Sequence, residues 1–146
     1  MTFFRDLSQF TDFSRPEVQG ALNIGWLSPF RYCPIGPTTR DFRRNLFELC
    51  ARPQLQTRGN HPCLLGLCKF TPRLFGITAS LNGHGLSLGS GVIIVRGAAH
   101  TYVAPDLIYH YVTRHWYRPP KGFIDAVLTS APLAPLRLNV RRRTSA

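Results

Sequence analysis

A single small α+β domain is the fold class this 146-residue sequence predicts, and three stretches predict it. Residues 92–103 hold the apolar run Val92-Ile93-Ile94-Val95, a turn through Arg96-Gly97-Ala98-Ala99, and a second extended run from His100 to Val103. That is the pattern of a β-hairpin. Residues 105–115 place Leu107, Ile108, Tyr111, Val112 and His115 on one face of a helix that begins at Pro105, where a missing N–H costs nothing. Pro119-Pro120 stops it, and Phe123, Ile124, Val127 and Leu128 open the apolar face of a further helix over 120–128. The expected architecture is an antiparallel sheet built on the hairpin and covered by helices 39–51, 105–115 and 120–128. Residues 1–128 form the domain, and 129–146 form a basic tail predicted to be disordered.

The earlier elements follow from local signals. Phe3, Phe4, Phe10 and Phe13, interrupted by charges, read as an irregular arm laid over the core. Residues 22–27 alternate well enough for a short strand, and the prolines at 29, 34 and 37 with Gly36 make 28–37 a loop. Thr38 or Thr39 can cap the helix that follows, with Asp41 near the positive end of its dipole and Phe42, Leu46, Leu49 and Cys50 on its buried stripe. Cys50 therefore reads as a small core residue. Residues 54–73 read as loop, residues 74–80 as a strand, and Asn82-Gly83-His84-Gly85 as a turn.

Composition narrows the function classes. Hydrophobic residues make up 44%, which is ordinary for a globular protein, and no apolar run approaches the length that crosses a bilayer. Arg5 and Asp6 interrupt the region where a signal peptide would be apolar, so the expected location is the cytoplasm. The net charge is +11, of which the tail supplies +4 through Arg137, Arg141, Arg142 and Arg143 without any acid. These four arginines and the basic body are the basis of one functional reading, nucleic-acid binding. Arginine outnumbers lysine 16 to 2, a bias that a GC-rich genome would produce without functional meaning. The acids number 7 and form no pair suited to acid–base catalysis, and the glycines between 83 and 91 lead into no helix N-terminus that could cradle phosphate. Tyr109, Tyr111, Trp116 and Tyr117 beside Arg114 and Arg118 could stack bases, but their spacing reads better as a helix pinned into a core.

Four segments, FRDL (4–7), NIGWL (23–27), TRGNHPC (57–63) and YVAPDLIYHYVTRHWYRPPKGFIDAVL (102–128), resemble a family of small uncharacterised bacterial proteins. Its members join an N-terminal arm, a GWL segment, one helix, an RG-x-H-x-C-x-x-C stretch, a β-hairpin and an APxLIxHYVxxHxYxPPxxFIxAV ending. The resemblance implies a fold and no assigned function. Here the second cysteine follows the first after four residues instead of two, and 69–86 reads as an insertion.

The chemistry concentrates in that region. Without an export signal, Cys33, Cys50, Cys63 and Cys68 read as thiols or metal ligands rather than disulfides. His61, Cys63 and Cys68 offer three ligands of the kind that zinc takes in a tetrahedral shell. A fourth can come from His110 or His115, which a regular helix separates by about 140°. His115 shares the stripe of Ile108 and Tyr111 and reads as a core histidine, so His110 is the expected fourth ligand. The competing reading is two ordinary buried thiols, and a Cys/His hydrolase built from Cys63 or Cys68 with His61, His110 and Asp106 has no spacing that demands it. The leading expectation is a non-enzymatic binding or accessory module with a structural zinc at His61, Cys63, Cys68 and His110. The alternative is a nucleic-acid-binding protein.

Overall fold

The computed structural model describes residues 3–11, 16–57, 59–70 and 76–130. The tail arginines, Arg137 and Arg141 to Arg143, lie outside the described residues, as does most of the segment 69–76 expected to open an insertion.

The domain is α+β. A four-stranded sheet is ordered β1 (Leu22–Asn23), β6 (Thr101–Pro105), β5 (Gly91–Arg96) and β2 (Leu55–Gln56), and a separate hairpin pairs β3 (Ile77–Leu81) with β4 (His84–Leu88). The β5–β6 hairpin is the sheet's centre, with Ile94 opposite Val103 and Val95 opposite Tyr102. The sheet is mixed rather than purely antiparallel, because β1 runs parallel to β6.

Side-chain alternation gives this sheet two buried faces. Ile93, Val95, Tyr102 and Ala104 point into the main core, shared with α1 (Arg40–Cys50), α2 (Ile108–Arg114) and α3 (Lys121–Thr129). Val92 and Val103 point the other way, into a second cluster closed by Phe10, Val18, Trp26 and Leu55. The arm does form that cover. It runs antiparallel to residues 21–26, with N–H groups of Phe4, Leu7 and Phe10 donating to carbonyls of Trp26, Asn23 and Ala21. Both faces of β5 and β6 are thus covered, which explains why Val92-Ile93-Ile94-Val95 is apolar at every position.

Several elements differ from the sequence expectation for identifiable reasons. The strand at 22–27 stops after two residues because Gly25 turns to φ +74, and a Cβ there would meet Ile108 Cδ1 at 2.9 Å. Pro105 ends β6 instead of opening a helix: it pairs with Val92, and Asp106 N–H continues the ladder to the Gly91 carbonyl. The helix starts only at Ile108. Residues 54–73 contain the short strand β2, and His84 and Gly85 belong to β4, with the turn confined to Asn82 (φ +50) and Gly83 (φ +80). Thr39 is the cap of α1, its hydroxyl accepting from Phe42 N–H at 3.2 Å. Helix α3 spans 121–129, one residue past the expected 120–128.

Candidate metal centre

Helix α2 is buried at Ile108, Tyr109, His110, Tyr111 and Val112, so it is enclosed on nearly all sides, as a helix that is apolar all round must be. His110, only 4% exposed, is one of three buried polar or charged residues among those described. A buried imidazole needs a partner, and α2 faces one in the loop that begins at His61. That loop passes Cys63, turns at Gly66 (φ +51), and enters a 3-10 turn over Gly66–Phe70 that carries Cys68. The Cys68 N–H closes it on the Leu65 carbonyl at 3.1 Å.

Loop and helix meet in a cluster of two cysteines and two histidines. Cys63, Cys68, His110 and His115 each offer one ligand atom, and these atoms all lie within 4.8 Å of one another. His115 Nε2 is 3.3 Å from Cys63 Sγ and 3.4 Å from Cys68 Sγ, and His110 Nε2 is 3.7 Å from Cys68 Sγ. The two imidazoles face each other edge to plane, with centroids 5.1 Å apart. Cys63 and His110 are buried, Cys68 and His115 half-buried. None of the four cysteines is in a disulfide.

The sequence placed three of these four residues at the centre; the fourth position is taken by His115, with His61 standing elsewhere. His61 is latched by its backbone, its N–H donating to the Gly89 carbonyl at 2.8 Å, and its side chain lines a small cavity with Trp26, Thr57 and Asp106. Burial lowers its imidazole pKa. His115 escaped the helical-wheel argument because the wheel does not reach it. The last helical residue is Arg114, and His115 is the cap, at φ −114 and ψ 6. Trp116 then turns left-handed at φ +56, and the Tyr111 carbonyl accepts from both His115 N–H and Tyr117 N–H. This tight exit brings the His115 ring beside His110. A usable signal was present: Cys-x4-Cys and His-x4-His both fall near or within the ligand spacings of two-cysteine, two-histidine zinc sites.

The surroundings are apolar and hydrogen-bonded. Burial pushes the Tyr111 phenol well above its usual range, with Cys63 and Asp106 adding to the shift, and drives the Cys50 thiol upward in the same way. Asp106 stands between β6 and α2 and is 2% exposed. Its two oxygens accept the N–H groups of Gly89 at 2.8 Å and Gly91 at 3.0 Å. Cys50 is 3% exposed and belongs to the core.

Fold and site together define a small α+β domain with a two-cysteine, two-histidine cluster joining a loop to its most buried helix. A family model described as a domain of unknown function, DUF7919, matches residues 2–128, and the chain belongs to that family. No curated protein and no solved structure matches it. No helix among the described residues is long and apolar enough to cross a membrane.

Proposed function

We propose that the chain is a small, non-enzymatic binding or accessory module whose loop 61–70 is tied to α2 by a structural zinc at Cys63, Cys68, His110 and His115. The observation that carries this reading is the spacing of the ligand atoms. Zn–S bonds of about 2.3 Å and Zn–N bonds of about 2.0–2.1 Å, set at tetrahedral angles, separate a sulfur from a nitrogen by about 3.6 Å. Three of the four sulfur–nitrogen distances here are 3.3, 3.4 and 3.7 Å, and all four ligand atoms lie within 4.8 Å of one another.

Two thiolates and two imidazoles are a donor set that zinc favours, and four protein ligands leave no position for a reacting water. The role is therefore structural. A thiol–imidazole pair for nucleophilic catalysis is the competing reading, but such a pair needs one sulfur against one base. Here two sulfurs share the Nε2 of His115, an arrangement that a dyad does not require and a metal shell does. A zinc in this place would fix a loop that follows the short β2 strand and carries the 3-10 turn, and its binding energy would count directly as folding energy.

Metal analysis of protein purified without chelator is the test. One zinc per chain is expected, lost in Cys63→Ser and His115→Ala and retained in His61→Ala. Chelation should lower the melting temperature by on the order of 10 °C or more, since the metal binds only the folded chain. A metal-free protein whose stability is indifferent to added zinc would leave the cluster as hydrogen-bonded thiols and imidazoles.

A further inference from the structure

A large cleft lies away from the metal cluster, between the N-terminal arm and the loop 28–37, and we propose that it binds a nucleobase and its phosphate within a single-stranded nucleic acid. The cleft has a volume of about 720 Å³. Phe4 and Trp26 form an aromatic wall, their rings edge to face with centroids 5.6 Å apart. Trp26 is fixed from behind, its Nε1–H donating to the Val103 carbonyl at 3.1 Å. Tyr32, from the loop 28–37, also lines the cleft and is 89% exposed. Each side brings one exposed guanidinium, Arg5 from the arm and Arg31 from the loop.

Charge decides which ligand these walls suit. Among the described residues Asp6 is the one acid lining the cleft, and its carboxylate is committed to the protein. One oxygen accepts the Gly25 N–H at 2.9 Å and the other the Tyr117 hydroxyl at 2.6 Å. Asp6 therefore acts as a post that holds the arm to the strand exit and the 117 segment. Arg5 and Arg31 line the cleft and are exposed, so their guanidiniums are available to an anion, and the half-buried Cys33 thiol, its pKa raised by burial, stays neutral beside them.

The loop itself points to a planar partner. Phe30 is 92% exposed and Tyr32 89%, flanking Arg31 on a segment stiffened by Pro29 and Pro34 and turned by bonds from Phe30 N–H and Arg31 N–H to Ser28. Two large aromatic rings held in water by a fixed loop lose hydrophobic free energy unless something covers them, and fixed rings lose little entropy when it does. Aromatic faces interleaved with guanidiniums are how proteins hold single strands: each base stacks on a ring while arginine meets the phosphate.

A strand fits better than a free nucleotide. Pro120, which precedes α3, lines the cleft but has no N–H to donate, and no glycine among the described residues lines it, so a di- or triphosphate would find two guanidiniums where it needs several converging donors. A strand distributes one charge per nucleotide along a chain whose net charge is +11.

The test uses the full-length protein and a dye-labelled 12-mer single-stranded DNA followed by fluorescence anisotropy. Duplex of the same sequence and adenosine monophosphate serve as competitors, and metal content is measured on the same preparations. Tyr32→Ala should weaken binding about tenfold, Tyr32→Phe should restore it, and Arg31→Ala should weaken it while lowering the salt slope by about 0.7. These side chains are exposed, so their melting temperatures should equal that of the wild type. No binding, equal binding of duplex, an unchanged Tyr32→Ala, or displacement by the mononucleotide at strand-like concentration each overturns the proposal. A preparation that lacks zinc yet binds the strand in this pattern would sink the metal reading and leave this one standing.

Discussion

Asp106 sits at the junction where β6 gives way to α2, and its buried carboxylate closes the turn at Gly89 and Gly91. Burial raises its pKa from an ordinary 3.8 to about 6, although the bonds from Gly89 and Gly91 pull the other way. The folded chain thus holds this proton more tightly than the unfolded chain does. Stability from this group is fully present below about pH 4 and is lost as pH rises through 6. Asp106→Asn removes the titration and sets an amide N–H₂ against one of the two backbone donors. The variant should be less stable throughout, but its deficit against wild type should shrink by about 2 kcal/mol between pH 4.5 and pH 7.5. Urea midpoints of both proteins across that range give the answer, and taking the difference cancels the protonation of metal ligands common to both. A deficit that stays constant with pH would show that Asp106 is ionised in the fold throughout. At this same scale the sequence was readable in part. Cys63, Cys68 and His110 were legible as ligand types at workable spacing, whereas the place of His115, read as a core histidine while His61 was set among the ligands, was not. It depended on where α2 ends and on the left-handed turn at Trp116, a bulky residue for which positive φ is uncommon and which no local rule would place there.

The elements that could be read from the sequence are those whose own pattern is strong. Helix α1 announced itself through Thr39, Asp41 and a stripe that is buried as expected, and the β5–β6 hairpin through its apolar run and glycine turn. What could not be read depended on partners distant in sequence. Leu55-Gln56 becomes a strand only because Val92 and Gly91 lie alongside, and Pro105 stays extended because Asp106 completes the ladder to Gly91. Helix α3 is a further case of strong pattern. Phe123, Ala126 and Val127 are buried, Ile124 is half-buried, and Leu128 at 39% exposure has turned to the surface. Phe123 is the element's anchor, wholly buried and edge to face with both Phe42 of α1 and Tyr102 of β6, at centroid distances of 6.4 and 5.8 Å. Phe123→Ala should therefore destabilise the domain by about 3–5 kcal/mol, as a large cavity in a packed core does. Equal denaturation midpoints for the variant and the wild type would mean that α3 is not part of the cooperative unit.

At the scale of the molecule, three layers depend on one another: helices on one face of the sheet, the arm on the other, and the loop 61–70 drawn against α2. Among the described residues, every buried residue of both clusters lies between Phe10 and Val127. The +4 charge carried by Arg137, Arg141, Arg142 and Arg143 has no counterpart in that core. Removing residues 131–146 takes +4 of the +11 net charge and leaves the rest on the body of the chain. Because the truncation removes no described residue of either cluster, stability should change by no more than about 0.5 kcal/mol, a shift of a few degrees in melting temperature. If nucleic acid is the partner, the same truncation should lower the salt slope of single-strand binding by up to about 3, the loss of four phosphate contacts at about 0.7 each. The contribution of Tyr32, which depends on stacking rather than charge, should survive with its fold-change intact. Calorimetry and anisotropy on the truncated chain measure the two effects separately. A collapse in melting temperature would place part of the tail within the folded unit. An unchanged salt slope would show that the tail arginines make no contact with the strand.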